Sequence, residues 1–125
     1  MTDPARSFGR VAREYELGRP SWPPEAIDAV TRELALEPDA SVLDLGAGTG
    51  KLSRLLVERF AQVTAVEPDD AMRALIPAEA VVLDGGAEKI PLPDGSLAAV
   101  FCAESFHWFD WPRALPEIAR VLRAG

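Results

Sequence analysis

An α/β fold, a parallel sheet of about four strands with helices on both faces, is predicted by three features of this sequence. An apolar run, Val42-Leu43-Asp44-Leu45, breaks into the turn Gly46-Ala47-Gly48-Thr49-Gly50 and then into a stretch whose Leu52, Leu55, Leu56 and Phe60 share one helical face. Two further short apolar runs, Gln62 to Val66 and Val81 to Leu83, each end at an acid, Glu67 and Asp84. Helical or turn-forming stretches separate the runs, so strand and helix alternate along the chain.

The composition bounds the function. With 125 residues there is room for one domain, burying ~60–70% of its unfolded surface. No apolar run is as long as a membrane span, and the polar, charged N-terminus lacks a signal-peptide core. The expectation is a cytoplasmic chain with no membrane partner. A net charge of −7 without a basic run disfavours nucleic acid. Cys102 is the sole cysteine, so no internal disulfide forms, and no His/Cys cluster has metal-ligand spacing.

Taken in order, residues 1–20 interleave Arg6, Arg10, Arg13 and Arg19 with Glu14 and Glu16 around Phe8 and Tyr15, which reads as a solvated, partly helical arm. Pro23-Pro24-Glu25 starts a helix over 24–36, with Ile27, Val30 and Leu34 as its apolar stripe. The first strand and its glycine turn open a Rossmann-like unit, in which glycines take positive φ and let backbone approach a ligand. The dinucleotide pattern G-x-G-x-x-G/A puts Lys51 or Ser53 at its third small position, and the P-loop pattern fails by one residue and by Leu52. Both phosphate readings are therefore disfavoured. Asp44, at the strand end, suits a cationic ligand better than a pyrophosphate. A plain structural turn remains the alternative.

Glu67 lies 21 residues after Gly46, where a carboxylate at the end of the second strand accepts from ribose hydroxyls; its other reading is a loop acid before a helix capped by Asp69 or Asp70. In that short helix Ala71, Leu75 and Ile76 form the expected buried side, and Met72 packs with them or under an adenine. A fourth strand over 97–102 leads to Ala103-Glu104-Ser105-Phe106-His107-Trp108. His107 titrates ordinarily near 6.5, which suits a general base, although a lone histidine among aromatics also serves as a pocket wall. A last helix over 112–123 carries Leu115, Ile118 and Leu122, and Pro116 either starts it or removes one of its backbone bonds.

LDLGAGTG resembles the cofactor loop of class I S-adenosyl-L-methionine-dependent methyltransferases, of the type 11-like subgroup. The N-terminal pattern F-x-x-x-A-x-x-Y-x-x-x-R-P-x-[YW]-P of that subgroup is similar at Phe8, Ala12, Tyr15, Arg19, Pro20, Trp22 and Pro23. GGAEKIPLPDGS resembles the family's G-x-A-E-x-[LI]-P-x-x-[DE]-x-S segment, and the stretch ending in His107-Trp108 resembles its His-aromatic stretch below the transferable methyl. The resemblance implies S-adenosyl-L-methionine as cofactor, held by Asp44, Gly46, Ala47, Gly48, Glu67, Pro68, Ala87, Glu88 and Glu104. It makes residues 1–23 a lid arm that adds Tyr15 and Arg19, the arginine meeting the methionine carboxylate. The sequence departs from the family at Gly86, where many relatives carry an acid, and at Ala98, where an Asp is usual. Adenine contacts then fall on the Ala87 backbone and Glu88, or on Asp84.

With right-handed crossovers the family pattern gives strand order 3-2-1-4, truncated relative to the seven-stranded family fold. Residues 1–125 would be an incomplete cofactor-binding core. A missing C-terminal segment, a second copy or another partner would cover the edge of strand four. The implied activity is methyl transfer to a small-molecule acceptor. The alternatives are a non-catalytic cofactor-binding or interaction module and, more remotely, an NAD-dependent oxidoreductase.

Overall fold

The computed structural model describes residues 23–102 and 109–123. In chain order the elements are α1 (Pro24–Glu33), β1 (Ser41–Leu45), α2 (Lys51–Val57), β2 (Gln62–Val66), α3 (Asp70–Arg73), β3 (Val81–Leu83), β4 (Ala99–Phe101) and α4 (Trp111–Val121). All strand pairs are parallel, and the order β3-β2-β1-β4 is the expected one. The expected arm over 1–23 lies, but for Pro23, outside the described residues.

A strand covered on both faces must be apolar at most positions, and β1 is at Val42, Leu43 and Leu45. Val42 faces a core built with Ile27, Leu52, Leu56, Phe60 and Val63. Its neighbours Leu43 and Leu45 face a second core with Val66, Ile90, Leu97, Ala114 and Val121. Period-two alternation thus sends odd and even residues of one strand to opposite layers, α1 and α2 on one side and α4 on the other. Full burial of each such Leu or Val contributes ~1.5–3 kcal/mol, which is what fixes the register Val42↔Val63 and Leu43↔Thr64.

Three helices and one strand differ from expectation. Helix α1 ends at Glu33 because Ala35 adopts φ 53°. Leu36 N–H donates to Thr31 O (2.9 Å) and Ala35 N–H to Arg32 O (3.1 Å), the paired bonds of a Schellman stop. No glycine marks it in the sequence. Helix α3 is a single turn, too short to bury a face: Ala71, Met72 and Leu75 are exposed and only Ile76 is buried. Helix α4 begins at Trp111 and runs through Pro116, which forfeits one backbone bond; Ala114 and Val121 are buried, Ile118 is half-buried against them, and Leu115 is exposed.

The strand expected over 97–102 forms its ladder only over Ala99–Phe101. Leu97 pairs instead with the chain leaving α4, its N–H donating to Val121 O (2.9 Å) and its carbonyl accepting from Arg123 N–H (2.8 Å). Among the described residues β4 ladders only with β1, and a largely apolar groove of about 350 Å³ runs between it and Ile27 and Val30 of α1 and the cap residue Leu34. No helix among the described residues is long and apolar enough to cross a membrane.

An L-residue in the left-handed region is strained by ~1–2 kcal/mol, which glycine avoids at some cost in unfolded-chain entropy. Ala35→Gly is therefore expected to raise stability by ~0.5–1 kcal/mol, read as a higher urea midpoint at unchanged m-value.

Candidate functional site

The carboxyl ends of β1 and β2 meet at the glycine turn. Gly46, Gly48 and Gly50 have φ of 67°, 60° and 88°, a conformation that side chains oppose. At Gly50 a Cβ would also come within 3.0 Å of the Ile76 Cα and Pro77 Cδ. Gly46 N–H and Ala47 N–H both donate to Val66 O, at 2.8 and 3.0 Å, so the turn is tied to the end of β2 from its first residue.

Glu67 completes the tie. Its side chain is buried at 4% exposure. One carboxylate oxygen accepts from Gly48 N–H (2.8 Å) and the other from Asp69 N–H (2.9 Å). The acid that the sequence offered as either ribose ligand or loop acid is thus a clamp between the glycine turn and the β2–α3 turn. Each oxygen keeps a further lone pair for a ligand hydroxyl. Asp69 caps α3, its carboxylate accepting from Met72 N–H (2.9 Å).

A cleft of about 290 Å³ opens beside this clamp. It is lined by Gly46 of the glycine turn, by Glu67, Pro68, Asp69 and Met72 after β2, by Gly86, Ala87 and Glu88 after β3, and by Phe109. Five expected site residues, Gly46, Glu67, Pro68, Ala87 and Glu88, are therefore brought together. Asp84 is turned away: its carboxylate lies 3.1 Å from Arg73 Nη1, and Arg73 also donates to Glu67 O and Pro68 O. Of the two settings offered for the adenine contact, the cleft holds Ala87 and Glu88 and not Asp84.

Asp44 is 1% exposed and faces α2 rather than the cleft, on the same strand face as Val42. Ser53 Oγ, fully buried, donates to its Oδ2 at 2.7 Å. Ser53 was legible only as a misfit to the dinucleotide pattern; its smallness lets α2 approach β1, and its hydroxyl serves the acid there. Tyr15, Arg19, Glu104 and His107 lie outside the described residues. The Cys102 thiol, at the end of β4, is pushed up to about 12 by burial and then by the charge of Asp44. It stays protonated at neutral pH and is no nucleophile.

The loop carrying Ala87 and Glu88 is held from behind by α4. Glu117 Oε1 accepts from Ile90 N–H (2.8 Å), while Arg120 donates through Nη2 to Ile90 O (2.8 Å) and through Nη1 to Leu92 O (2.9 Å) and Asp94 (2.7 Å). Arg120 also grips Glu117 by both carboxylate oxygens, at 2.7 and 3.0 Å. The Arg120 guanidinium, and then the Ile90 amide, hold the Glu117 carboxyl below its ordinary value of 4.5.

A family model described as a methyltransferase domain matches residues 43–125. An uncharacterized methyltransferase of Mycobacterium tuberculosis is 52% identical over 127 aligned positions, covering 98% of this chain and 50% of that protein. A malonyl-[acyl-carrier protein] O-methyltransferase of Methylococcus capsulatus is 38% identical, over 94% of this chain and 43% of its own length. A solved structure assigned to a methyltransferase of an antibiotic biosynthesis pathway in Anabaena variabilis superposes with a TM-score of 0.71 at 30% identity, covering 79% of this chain and 41% of that one. The chain spans about half the length of the curated relatives it matches.

Two outcomes follow for stability. Ser53→Ala removes a donor from a buried acid and is expected to cost about 1–3 kcal/mol in urea unfolding, with the far-ultraviolet spectrum unchanged. A folded-state pKa below the unfolded one means that the ionised Glu117 stabilises the native state. That contribution is full above the ordinary glutamate value and is lost as pH falls through the depressed one. Between about pH 6 and pH 3 the urea midpoint of the wild type should therefore fall more than that of Glu117→Gln.

Proposed function

The chain belongs to the methyltransferase-domain family, and from that premise we propose that its glycine-turn cleft holds S-adenosyl-L-methionine for methyl transfer to a small-molecule acceptor. The observation that carries the reading is the Glu67 clamp: a buried carboxylate, already ordered by two backbone amides, facing a cleft beside side-chain-free backbone. A ribose diol needs an ordered anionic acceptor at this place in an α/β sheet. The cleft volume lies near the lower end of the ~300–1,000 Å³ usual for small-molecule sites.

When bound, S-adenosyl-L-methionine supplies a methyl group on a sulfonium that is already activated for displacement. The protein's share is alignment and desolvation. In this reading Glu67 accepts from the ribose hydroxyls, Gly46 and Gly48 present bare backbone, and the Ala87 backbone and Glu88 face the adenine. Residues 1–23 act as a lid arm, in which Arg19 meets the methionine carboxylate and Tyr15 the sulfonium side. Asp44 and Glu104 add negative charge near the cationic end. His107 acts as a base only if the acceptor must lose a proton. The acidic net charge and the absence of a basic run favour a small molecule over nucleic acid as acceptor.

Calorimetric titration of the purified chain with S-adenosylmethionine and S-adenosylhomocysteine, beside a Glu67→Ala variant shown to be folded, tests this. The expected result is binding on the order of micromolar, weakened at least about tenfold in the variant. A folded wild-type chain that binds NADH and neither sulfur ligand would return the site to the oxidoreductase reading.

A further inference from the structure

We propose that the Arg120–Glu117 pair of α4 is a positioning device for the cofactor cleft, fixing the turn that presents Ala87 and Glu88. The inference rests on the cofactor reading above. One side of the cleft is fixed by the Glu67 clamp. The other is a loop between β3 and β4, whose own backbone pairing is slight: a Gly86↔Lys89 bridge with a Lys89 N–H to Gly86 O bond of 3.3 Å, and a tight turn in which Leu92 N–H donates to Ile90 O (2.8 Å). Beyond that turn the peptide groups of Ile90 and Leu92 have no strand to pair with. Helix α4 takes them instead. Glu117 holds the Ile90 N–H, and Arg120 holds the Ile90 and Leu92 carbonyls.

Gripping both polar groups of Ile90 while its side chain is buried against α4 fixes register as well as depth. A slip of one residue would drive the Glu88 carboxylate toward the apolar site of Ala87, which is 1% exposed. At the other end of the same helix, Asp110 N–H donates to Glu88 Oε1 (3.0 Å). One helix therefore holds the turn at its tip and at its base. Neither Glu117 nor Arg120 lines the cleft; both line a separate depression with the loop residues 88–93. Their effect on a ligand must pass through the turn. The acceptors around Arg120 diverge, which suits a planar fork of donors and not a single ammonium.

The test compares wild type, Arg120→Lys, Glu117→Gln and the double variant. Amide hydrogen exchange across residues 86–92 of the ligand-free chain reads the grip itself. Calorimetry with S-adenosylhomocysteine and with 5′-methylthioadenosine, which keeps the adenosine and lacks the amino acid, reads the cleft. Arg120→Lys is expected to speed exchange over 86–92 and to weaken both ligands by a similar factor, about tenfold, with the double variant little worse than the single. Glu117→Gln, milder because its amide oxygen can still accept from Ile90 N–H, should move both readouts the same way by less; it carries the test if Arg120→Lys does not fold.

A merely structural pair would lower Tm and the binding-competent fraction while leaving the Kd of that fraction unchanged, and that result overturns the proposal. So does unchanged exchange, or a loss confined to S-adenosylhomocysteine. A wild-type chain that binds neither ligand removes the cofactor reading and the positioning role together, whereas wild-type binding with an unaffected Arg120→Lys removes only the latter.

Discussion

Glu67 is the constraint on which the site depends. A carboxylate buried to 4% exposure is costly unless its oxygens are satisfied, and here two backbone N–H groups satisfy them. One donor belongs to the glycine turn after β1 and the other to the turn after β2. The acid therefore couples two loops that share no ladder bond. It can do so only because β1 and β2 are adjacent, parallel and in register to their ends, Leu45 opposite Val66. Removing the side chain would take the acceptor from the buried Gly48 amide and from the partly buried Asp69 amide, and loosen both turns at once.

That register in turn rests on the two-sided core. Val42 and Leu43 point to different layers, so a one-residue shift of β1 would exchange the residues packed on α2 for those packed on α4. Asp44 would then leave Ser53. The polar pair is thus a register check inside an otherwise apolar layer. A shifted strand would lose packing and also bury an acid away from its donor.

Much of this was legible in the sequence, for identifiable reasons. Strands β2 and β3 were bounded to the residue, because each is a short apolar run closed by an acid. The strand order came from family likeness, since spacing alone does not say which side of β1 receives β4. The end of α1 was misplaced because its Schellman stop uses Ala35 where a glycine would have announced it. Leu75 and Leu115 were placed inside because they are apolar at helical spacing; the single turn of α3 and the tilt of the buried face of α4 toward Ala114 and Val121 put them outside. At the candidate site, Glu67 was singled out by its distance from the glycines together with the family likeness. Its bonds to backbone were not, because spacing does not reveal which amides lack partners. The Arg120–Glu117 grip was invisible for a similar reason: its acceptors are main-chain carbonyls 28 and 30 residues away, and main chain carries no sequence signal.

Ser53 bears on the choice of ligand. Dinucleotide sites place a glycine or alanine at the third position of the fingerprint so that helix and strand approach closely. Here that role falls to a serine with no exposure, and its hydroxyl sustains a carboxylate beneath the turn. The charge of Asp44 is felt as far as Cys102, whose thiol it helps to push up. With Glu67 on the adjacent wall, two acids flank the glycine turn. A pyrophosphate laid on that turn would meet the Glu67 carboxylate, with Asp44 buried behind the turn, and like charges in a partly desolvated site repel more strongly than in water. The feature that spoils the phosphate pattern is therefore tied to an acid that also opposes an anion at this turn.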